Sequence, residues 1–256
     1  MINEHAIIHP SAKIAAGVSI GAGTIIGSDV EIGEGSWIGP HVVIEGPTVI
    51  GKNNKIFQFA SVGDVPQDIT YQGESTRLEI GDNNIIREYC MISRGTAKGG
   101  GLTRLGNNNF FMAYTHVGHD CMVGNHVIMV SYSALSGHVI LNDYTNIGAY
   151  SAVHQFCSVG AYAFISRATY VSKDVLPYVM VAGHTTAVCG INTVGLRRRG
   201  FSSEAIDALR RAYKIVFRKG LTVQQAVDEL EVLGGDYPEV MLMIDSLKQS
   251  TRGIVR

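Results

Sequence analysis

The sequence repeats with a period of six residues, and this repeat limits the possible folds more than any other feature. From Ile8 to Val62, an aliphatic residue recurs at every sixth position. The register resumes at Ile80 and again, shifted by one residue, from Leu105 to Val171. A six-residue period fits neither an α-helix nor the two-residue alternation of an ordinary strand. It is typical of a hexapeptide β-helix, in which each hexad forms one short strand and one corner.

The repeat also predicts which residues are neighbours in space. Three hexads close one coil, so residues 18 positions apart stack vertically, with strands about 4.8 Å apart. The aliphatic residue of each hexad points into a narrow prism. We therefore expect a mainly β fold, with a parallel β-helix over residues 1–191.

Two segments interrupt the repeat. Residues 64–79 keep the spacing but lose the aliphatic residues, and residues 94–104 contain a glycine run and the one-residue shift. Both are predicted to be loops that leave the prism. In repeat proteins, such insertions commonly carry binding residues.

The C-terminal 65 residues have helical rather than hexad periodicity. Helices are predicted within 202–220, within 222–235, where Thr222 and Gln225 form a capping-box pattern, and within 238–250, beginning at a proline. Residues 192–256 are thus expected to form a small helical domain. Its excess of basic side chains contrasts with an acidic excess in residues 1–191.

Composition excludes several classes of protein. The net charge of −1 argues against general nucleic-acid binding. The N-terminus has no signal-peptide pattern, and no apolar run is long enough to cross a membrane. The four cysteines form no CxxC pair and are expected to be reduced, so we predict a cytoplasmic protein. With only 17% charged residues, much of the surface is weakly polar, as surfaces that meet other subunits often are.

A cluster of polar residues is expected on one edge of the prism. The stretch YTHVGHDCMVGNH, residues 114–126, contains three histidines, an aspartate and a cysteine. Stacking by 18 residues aligns three columns and brings one further histidine close to them. The columns are His119–Gly137–Gln155, Asp120–His138 and Gly118–Ser136–His154, and the nearby residue is His116. None of these histidines occupies the inward position, so we expect an outward-facing functional cluster.

These residue types suit acyl-group chemistry by direct transfer. A neutral histidine is a suitable general base near pH 7, and Asp120 or a backbone carbonyl could fix its tautomer. No G-x-S-x-G nucleophile motif is present, and Cys121 occupies a position expected to be buried. Gly137, stacked on His119, leaves its N–H open to an oxyanion. The alternative is a metal site, which needs three histidines at about 2.0–2.1 Å from one ion.

Several segments resemble the UDP-N-acetylglucosamine O-acyltransferase family across nearly the whole chain. They are IHPSAKIAAGVSIGAG, FQFASVGDVPQD, GGGLTRLGNNN, HVGHDCMVGN, LSGHV, AVHQFCSVGA, NTVGLRRRGFS and STRGIVR. The resemblance implies a left-handed β-helix and a homotrimer with active sites between neighbouring prisms. It implies transfer of a (3R)-3-hydroxyacyl group from acyl carrier protein to UDP-N-acetylglucosamine, the first step of lipid A biosynthesis. It implies no metal and no other cofactor.

The resemblance also implies roles for individual residues. His119 matches the family's general base, Asp120 its orienting partner and Gly137 the oxyanion donor. The matching substrate-binding positions are Asp68, His116, His138, His154, Gln155, Asn192, Arg198 and Arg199. Arginines at the last two positions suit a pyrophosphate.

Three positions depart from the family pattern. Thr70 stands where relatives usually have lysine, so a cationic contact to the sugar nucleotide is expected to be missing. Val194 stands where relatives often have an acidic residue. Arg167 matches a position whose side chain tunes acyl-chain length. We expect it to shorten the chain, although it could turn into solvent, and it could reach the groove only from a neighbouring subunit.

Other functions remain open from the sequence. The acceptor could be the amino group of a 3-amino UDP-sugar, or the chain could be a trimeric metal hydratase or a non-catalytic scaffold. For the acyltransferase, basic residues of the helical region would help dock an acidic carrier protein. These are Arg210, Arg211, Lys214, Arg218 and Lys219.

Overall fold

The computed structural model describes residues 1–256 and consists of a three-sided parallel β-helix followed by four α-helices. Strands are numbered in chain order and alternate among three sheets. Sheet 1 consists of β1 (Ile7–Ile8), β4 (Ile25–Ile26), β7 (Val43–Ile44), β10 (Ser61–Asp64), β13 (Met91–Ser93), β16 (His116–Val117), β19 (Ala134–Leu135), β22 (Ala152–Val153) and β25 (Tyr170–Val171). Sheet 2 consists of β2 (Lys13–Ile14), β5 (Val30–Ile32), β8 (Thr48–Ile50), β11 (Arg77–Ile80), β14 (Leu102–Leu105), β17 (Met122–Val123), β20 (Ile140–Leu141) and β23 (Ser158–Val159). Sheet 3 consists of β3 (Ser19–Ile20), β6 (Trp37–Ile38), β9 (Lys55–Ile56), β12 (Ile85–Ile86), β15 (Phe110–Phe111), β18 (Ile128–Met129), β21 (Asn146–Ile147), β24 (Phe164–Ile165), β26 (Val179–Ala182) and β27 (Ala187–Ile191).

The strand register confirms the predicted stacking. Val117 of β16 pairs with Leu135 of β19, which pairs with Val153 of β22, each step being 18 residues. The hexad side chains fill the prism, and many are completely buried, Ile38 and Leu135 among them. The predicted fold class, mainly β with a left-handed parallel β-helix and a C-terminal helical part, is confirmed.

Each corner needs one residue with a left-handed backbone conformation, three positions after the inward aliphatic residue. Asn53, Asn108 and Asp120 adopt it with φ of 55°, 59° and 60°. Asparagine and aspartate tolerate this region better than most residues. Aromatic residues occupy the same position in many coils, for example Tyr132 with φ of 63°.

Both loops are shorter than the sequence predicted. β11 already begins at Arg77 and β14 at Leu102, and these two strands pair along their length. Leu78 and Thr103 point inward and are fully buried. Each lies two positions before the aliphatic residue of its hexad and extends the strand toward the loop. The first loop therefore ends before residue 77, and the second ends before residue 102.

The C-terminal region contains α1 (Thr193–Arg198), α2 (Ser203–Arg218), α3 (Val223–Asp236) and α4 (Met241–Gln249). The Thr222 capping box is present as predicted. The third predicted helix begins later than its proline, because Pro238–Val240 forms a 3-10 turn before α4. The segment containing α1 could also be a solvated turn from its sequence, but Asn192 caps it as a helix. None of the helices is long and apolar enough to cross a membrane.

The prism has three outer faces and three edges, and these position the functional residues. Face 1, face 2 and face 3 are the outer surfaces of the corresponding sheets. Edge 1–2 follows the strands of sheet 1, edge 2–3 follows sheet 2, and edge 3–1 follows sheet 3. In a triangular prism each edge lies opposite one face, so edge 1–2 lies opposite face 3.

Candidate active site

A buried histidine–aspartate pair forms the centre of the predicted cluster on edge 1–2. His119 Nδ1 lies 2.8 Å from Asp120 Oδ2, and the Asp120 side chain is 1% exposed. A carboxylate only accepts hydrogen bonds, so Nδ1 carries the proton and Nε2 presents its lone pair. The imidazole is thus oriented as a proton acceptor at its outer nitrogen.

The second loop and the adjoining strand β14 supply the other partners of Asp120. Thr96 donates its N–H to Oδ1 at 2.8 Å and its hydroxyl to Oδ2 at 2.7 Å. The Asp120 N–H donates to Thr103 Oγ1 at 2.8 Å. These bonds compensate the burial of the carboxylate and fix its direction. Neither threonine was predicted from the sequence.

Two glycines of that loop explain how it approaches Asp120 so closely. A Cβ at Gly99 would lie 2.1 Å from Asp120 Cγ, and one at Gly95 would lie 2.9 Å from Oδ1. Ordinary carbon contacts are about 3.5–4.0 Å, so side chains are excluded there. The glycines were the sequence signal for these contacts, but their spatial partner was not deducible from spacing.

Gly137 faces His119 from the next coil. A Cβ at this position would lie 2.4 Å from His119 Cε1 and 2.6 Å from Nε2. On edge 2–3, Asn107 and Asn125 occupy the turn position that corresponds to Gly137. The Asn107 N–H donates to the Asn125 side chain, and the Asn125 N–H donates to the Asp143 side chain, in each case 18 residues later. The Gly137 N–H makes no such bond to Gln155 or to any other acceptor of the chain. It is therefore a free donor on the residue that packs against the His119 ring.

Three more histidines surround this pair. His138 meets His119 edge-on with ring centroids 5.2 Å apart, and it stacks on Phe156 at 4.3 Å. His154 donates from Nδ1 to the Gln155 carbonyl at 3.1 Å. Burial lowers the pKa of His116, and it also lowers the pKa of His138, partly opposed by Asp120. Both rings are therefore neutral at pH 7.

The first loop brings Asp68 to the same edge. Its Oδ1 accepts from the Thr70 N–H at 2.8 Å and from the Thr70 hydroxyl at 2.9 Å, and these bonds lower the pKa of Asp68. His119 and Lys98 also act electrostatically on this carboxylate. Lys98 Nζ donates to Thr70 Oγ1 at 3.0 Å. The cation expected to be missing at position 70 is thus supplied by the second loop.

The three remaining binding candidates lie elsewhere in the same chain. Asn192, Arg198 and Arg199 line a cavity of about 690 Å³ on face 3 and edge 2–3. The Arg199 guanidinium lies over the Tyr144 ring at 5.1 Å. The Asn192 side chain accepts from Gly195 N–H at 3.1 Å and donates to the Tyr162 carbonyl at 3.0 Å. Because its amide is used in this way, Asn192 holds α1 in place.

A single chain cannot join the two groups, because edge 1–2 lies opposite face 3. Arg167 belongs to neither group. It is exposed on edge 3–1, three residues after Phe164, which lines the face 3 cavity. This agrees with the expectation that Arg167 lies on a different column from His119.

The geometry also distinguishes a histidine base from the two other possibilities, a cysteine nucleophile and a metal site. Burial raises the pKa of the Cys121 thiol to about 12, so this cysteine is not an activated nucleophile. His119, Asp120 and His138 offer ligand atoms within 4.8 Å of one another, which meets a minimal condition for a metal site. However, both Asp120 oxygens already accept hydrogen bonds from Thr96. This arrangement favours an oriented base over a metal ligand set.

Comparisons with known proteins agree with the site. Residues 174–255 match the family model for UDP N-acetylglucosamine O-acyltransferase, domain 2, and residues 29–63 match the bacterial transferase hexapeptide model. A Saccharophagus degradans relative named acyl-(acyl-carrier-protein)–UDP-N-acetylglucosamine O-acyltransferase is 53% identical over 100% of this chain and 99% of its own.

Solved structures give the same result. LpxA from Acinetobacter baumannii superposes with a TM-score of 0.98 at 49% identity, covering 100% of this chain and 99% of its own. UDP-N-acetylglucosamine O-acyltransferase from Moraxella catarrhalis gives a TM-score of 0.97 at 44% identity with the same coverage. The chain therefore belongs to the UDP-N-acetylglucosamine O-acyltransferase family.

Proposed function

We propose that this enzyme transfers a (3R)-3-hydroxyacyl group from acyl carrier protein to the 3-hydroxyl of UDP-N-acetylglucosamine, the first step of lipid A biosynthesis. The observation that carries the proposal is the buried Asp120–His119 pair, whose ring packs against Gly137, a residue with an unpaired N–H. The full-length relatives are named for these substrates, which supports both assignments. We further propose that the protein works in the cytoplasm.

The reaction follows from the atoms present. His119 Nε2 takes the proton of the sugar hydroxyl as its oxygen attacks the thioester carbonyl. The Gly137 N–H donates to the oxyanion that forms on the former carbonyl oxygen. The C–S bond then breaks, and the protonated His119 returns the proton to the phosphopantetheine thiol. Asp120 stabilises the imidazolium between these two steps.

The other side chains of edge 1–2 would position the sugar. His116 and His138 are neutral at pH 7 and can each donate one hydrogen bond and accept another. Asp68 accepts from sugar hydroxyls, while Lys98 stands beside it as a cation. Gln155 is exposed at the same edge and is free to contact the nucleotide.

A homotrimer would complete the site. Arg198 and Arg199 suit a pyrophosphate, but they lie in the face 3 cavity, opposite edge 1–2. If face 1 of one copy packs on face 3 of the next, edge 1–2 approaches edge 2–3, where Arg199 lies. With a rotation of 120° between copies, this head-to-tail contact closes a ring of three. The His119 half and the arginine half of each site then come from neighbouring copies.

The three faces differ in their number of charged residues, as this trimer arrangement requires. The strand residues of face 1 include one exposed charged residue, Asp64 at the end of β10, and the outward strand residues of face 3 include only Lys55. Face 2 carries the ion pairs Lys13–Glu31 and Arg104–Glu79. Charged residues are depleted where subunits meet, so faces 1 and 3 are the better interface.

The test is acyl transfer from 3-hydroxyacyl carrier proteins to UDP-N-acetylglucosamine by wild type and His119→Ala. We expect an ester product and a loss of about 10²-fold or more in the variant. Wild-type turnover of only a 3-amino UDP-sugar would shift the assignment to N-acyl transfer, with Val194 as the position to examine. An enzyme inactive on both acceptors but containing stoichiometric zinc would instead support the hydratase.

Acyl-chain length is the least constrained part of the proposal. Arg167 is exposed on edge 3–1, and we propose that it reaches the end of the acyl groove from a neighbouring copy and shortens the preferred chain. Carrier proteins with chains of graded length test this. Arg167→Gly should then prefer a longer chain than the wild type, and a wild-type optimum at long chains would contradict the idea.

A further inference from the structure

Arg94 connects the two loops beside the proposed site. It follows β13 directly and begins the second loop, and its N–H donates at 3.1 Å to the carbonyl of Asp64, where the first loop starts. In the pairing of β13 with β16, Ile92 lies beside Val117. Continuing this register by two residues places Arg94 beside His119 in the preceding coil, at the spacing of about 4.8 Å between neighbouring strands.

The Arg94 guanidinium is partly buried and bonds to three separate oxygens. Nη1 donates to the Gly46 and Gly63 carbonyls at 2.8 and 3.2 Å, and Nη2 donates to the Tyr71 hydroxyl at 3.2 Å. Arg94 forms no ion pair, and its Nε is buried without a hydrogen-bond partner. A cation withdrawn from water without a counter-ion adds little to stability. What the side chain provides is its planar fork, which holds several oxygens in fixed directions at once.

The first loop has few other attachments. Residues 65–76 make no main-chain to main-chain hydrogen bond outside the loop. The other side-chain bonds that leave the loop are those of Gln67 with Met91 and of Thr70 with Lys98. Both are exposed to water, whereas the bond between Arg94 and Tyr71 is partly buried. Arg94 therefore supplies the best-protected hydrogen bond between this loop and the prism.

The bond at Tyr71 fixes the part of the loop that carries Asp68. The Tyr71 N–H donates to the Asp68 carbonyl at 3.0 Å, and the Tyr71 hydroxyl donates to the Glu74 carbonyl at 2.9 Å. Tyr71 thus closes a tight turn that begins at Asp68. Ile69, next along the chain, is fully exposed, so nothing in the chain covers the tip of this turn. The position of the Asp68 carboxylate therefore depends on Arg94.

We infer that Arg94 is a positioning residue for the acceptor substrate: through the Tyr71 hydroxyl it holds Asp68 against the sugar that His119 deprotonates. The inference rests on the proposed function, because it requires Asp68 and His119 to contact the same sugar. Arg94 itself touches neither the sugar nor the reacting atoms. A loosened loop must be ordered again when the sugar binds, so losing this contact weakens substrate binding more than it slows the chemical step.

Tyr71→Phe tests the inference with the smallest change, since it removes one hydroxyl and leaves the two carbonyl bonds of Arg94 in place. We expect the KM for UDP-N-acetylglucosamine to rise about tenfold and kcat to change less than about twofold. Arg94→Lys keeps the charge but loses the fork, and it should behave in the same way. Arg104→Lys is the matched control and should keep both constants, because Arg104 lies on face 2 and pairs with Glu79.

A double-mutant cycle with Asp68→Asn separates positioning from a general loosening of the fold. Tyr71→Phe should raise the KM for the nucleotide sugar about tenfold when Asp68 is present. In the Asp68→Asn background it should raise this KM less than about twofold, because the two residues act through one contact. Equal factors in the two backgrounds would overturn the inference.

The attachment of the loop is also measurable without substrate. Ile69→Cys in a Cys189→Ser background places a nitroxide spin label at the tip of the loop, because Cys189 is the one exposed cysteine of the chain. Tyr71→Phe should narrow the spectrum of the label, and Arg104→Lys should not. An unchanged spectrum would contradict the role of Arg94 as the anchor. Wild type that is inactive on UDP-N-acetylglucosamine would refute the proposed function and the sugar-positioning role together, whereas the spectrum reports on the anchor alone.

Discussion

Replacing Gly137 with alanine should damage catalysis far more than folding. The new methyl carbon would lie 2.4 Å from His119 Cε1 and 2.6 Å from Nε2. Gly137 is not among the residues with positive φ, so the backbone accepts alanine, and only the ring contact is unfavourable. The imidazole must move by about 1 Å to regain van der Waals distance. That movement breaks the 2.8 Å bond from Nδ1 to Asp120.

The expected magnitude follows from this displacement. A misplacement of about 1 Å can cost about 10²-fold in rate, equivalent to about 2.7 kcal/mol of transition-state stabilisation. Losing a hydrogen bond to a charged group costs about 1.5–3 kcal/mol of stability at most, so Tm should fall by only several degrees. We therefore expect kcat to fall about 10²-fold in an enzyme that remains folded.

The assay is steady-state acyl transfer combined with thermal unfolding, and Gly106→Ala is the matched control. The control also adds a methyl group to a corner, where it would lie 2.6 Å from Asn125 Oδ1 and the Gly124 carbonyl oxygen. It should lower Tm without lowering kcat, because His119 is remote. A Gly137→Ala enzyme with wild-type kcat would refute the proposed fit of glycine against the base.

Three further predictions follow from the same site. Thr96→Val removes the hydroxyl donor to Asp120 and should lower kcat at least about tenfold with little change in KM, as initial rates would reveal. Lys98→Met should raise the KM for the nucleotide sugar about two- to fivefold at constant kcat, the modest effect expected of an exposed cation. Because burial lowers the pKa of His116 and His138, the unfolded chain binds more protons below about pH 6.5. Stability should therefore fall as pH falls from 6.5 toward the folded pKa values, and His116→Gln should weaken this slope in Tm measurements.

Much of the fold follows from one period in the sequence. The spacing of Ile8, Ile14 and their successors predicts the three-sheet prism, and the 18-residue stack predicts that His119 lies opposite Gly137. This works because each coil repeats the same short-range geometry, so position along the chain converts directly into position in space. The loop limits were less predictable, since Leu78 and Thr103 extend strands that lack the hexad signal.

The residues that the sequence did not reveal lie where the repeat is broken. Thr96 reaches Asp120 from a loop whose path is set by tertiary contact rather than by periodicity. Lys98 reaches Thr70 in the same way, from one loop to the other. The role of the Asn192 amide in capping α1 could also not be predicted, because the sequence after Asn192 is equally compatible with a solvent-exposed turn and with a short helix.

We propose that each active site combines His119 of one copy with Arg199 of the next, and mixed trimers provide a direct test. His119→Ala and Arg199→Ala homotrimers should each be nearly inactive. Trimers assembled from an equal mixture should regain activity, because about one site in four then contains both intact residues. Recovery should reach close to a quarter of wild-type activity. Mixed trimers as inactive as their parents would contradict it and would place both halves of the site in the same chain.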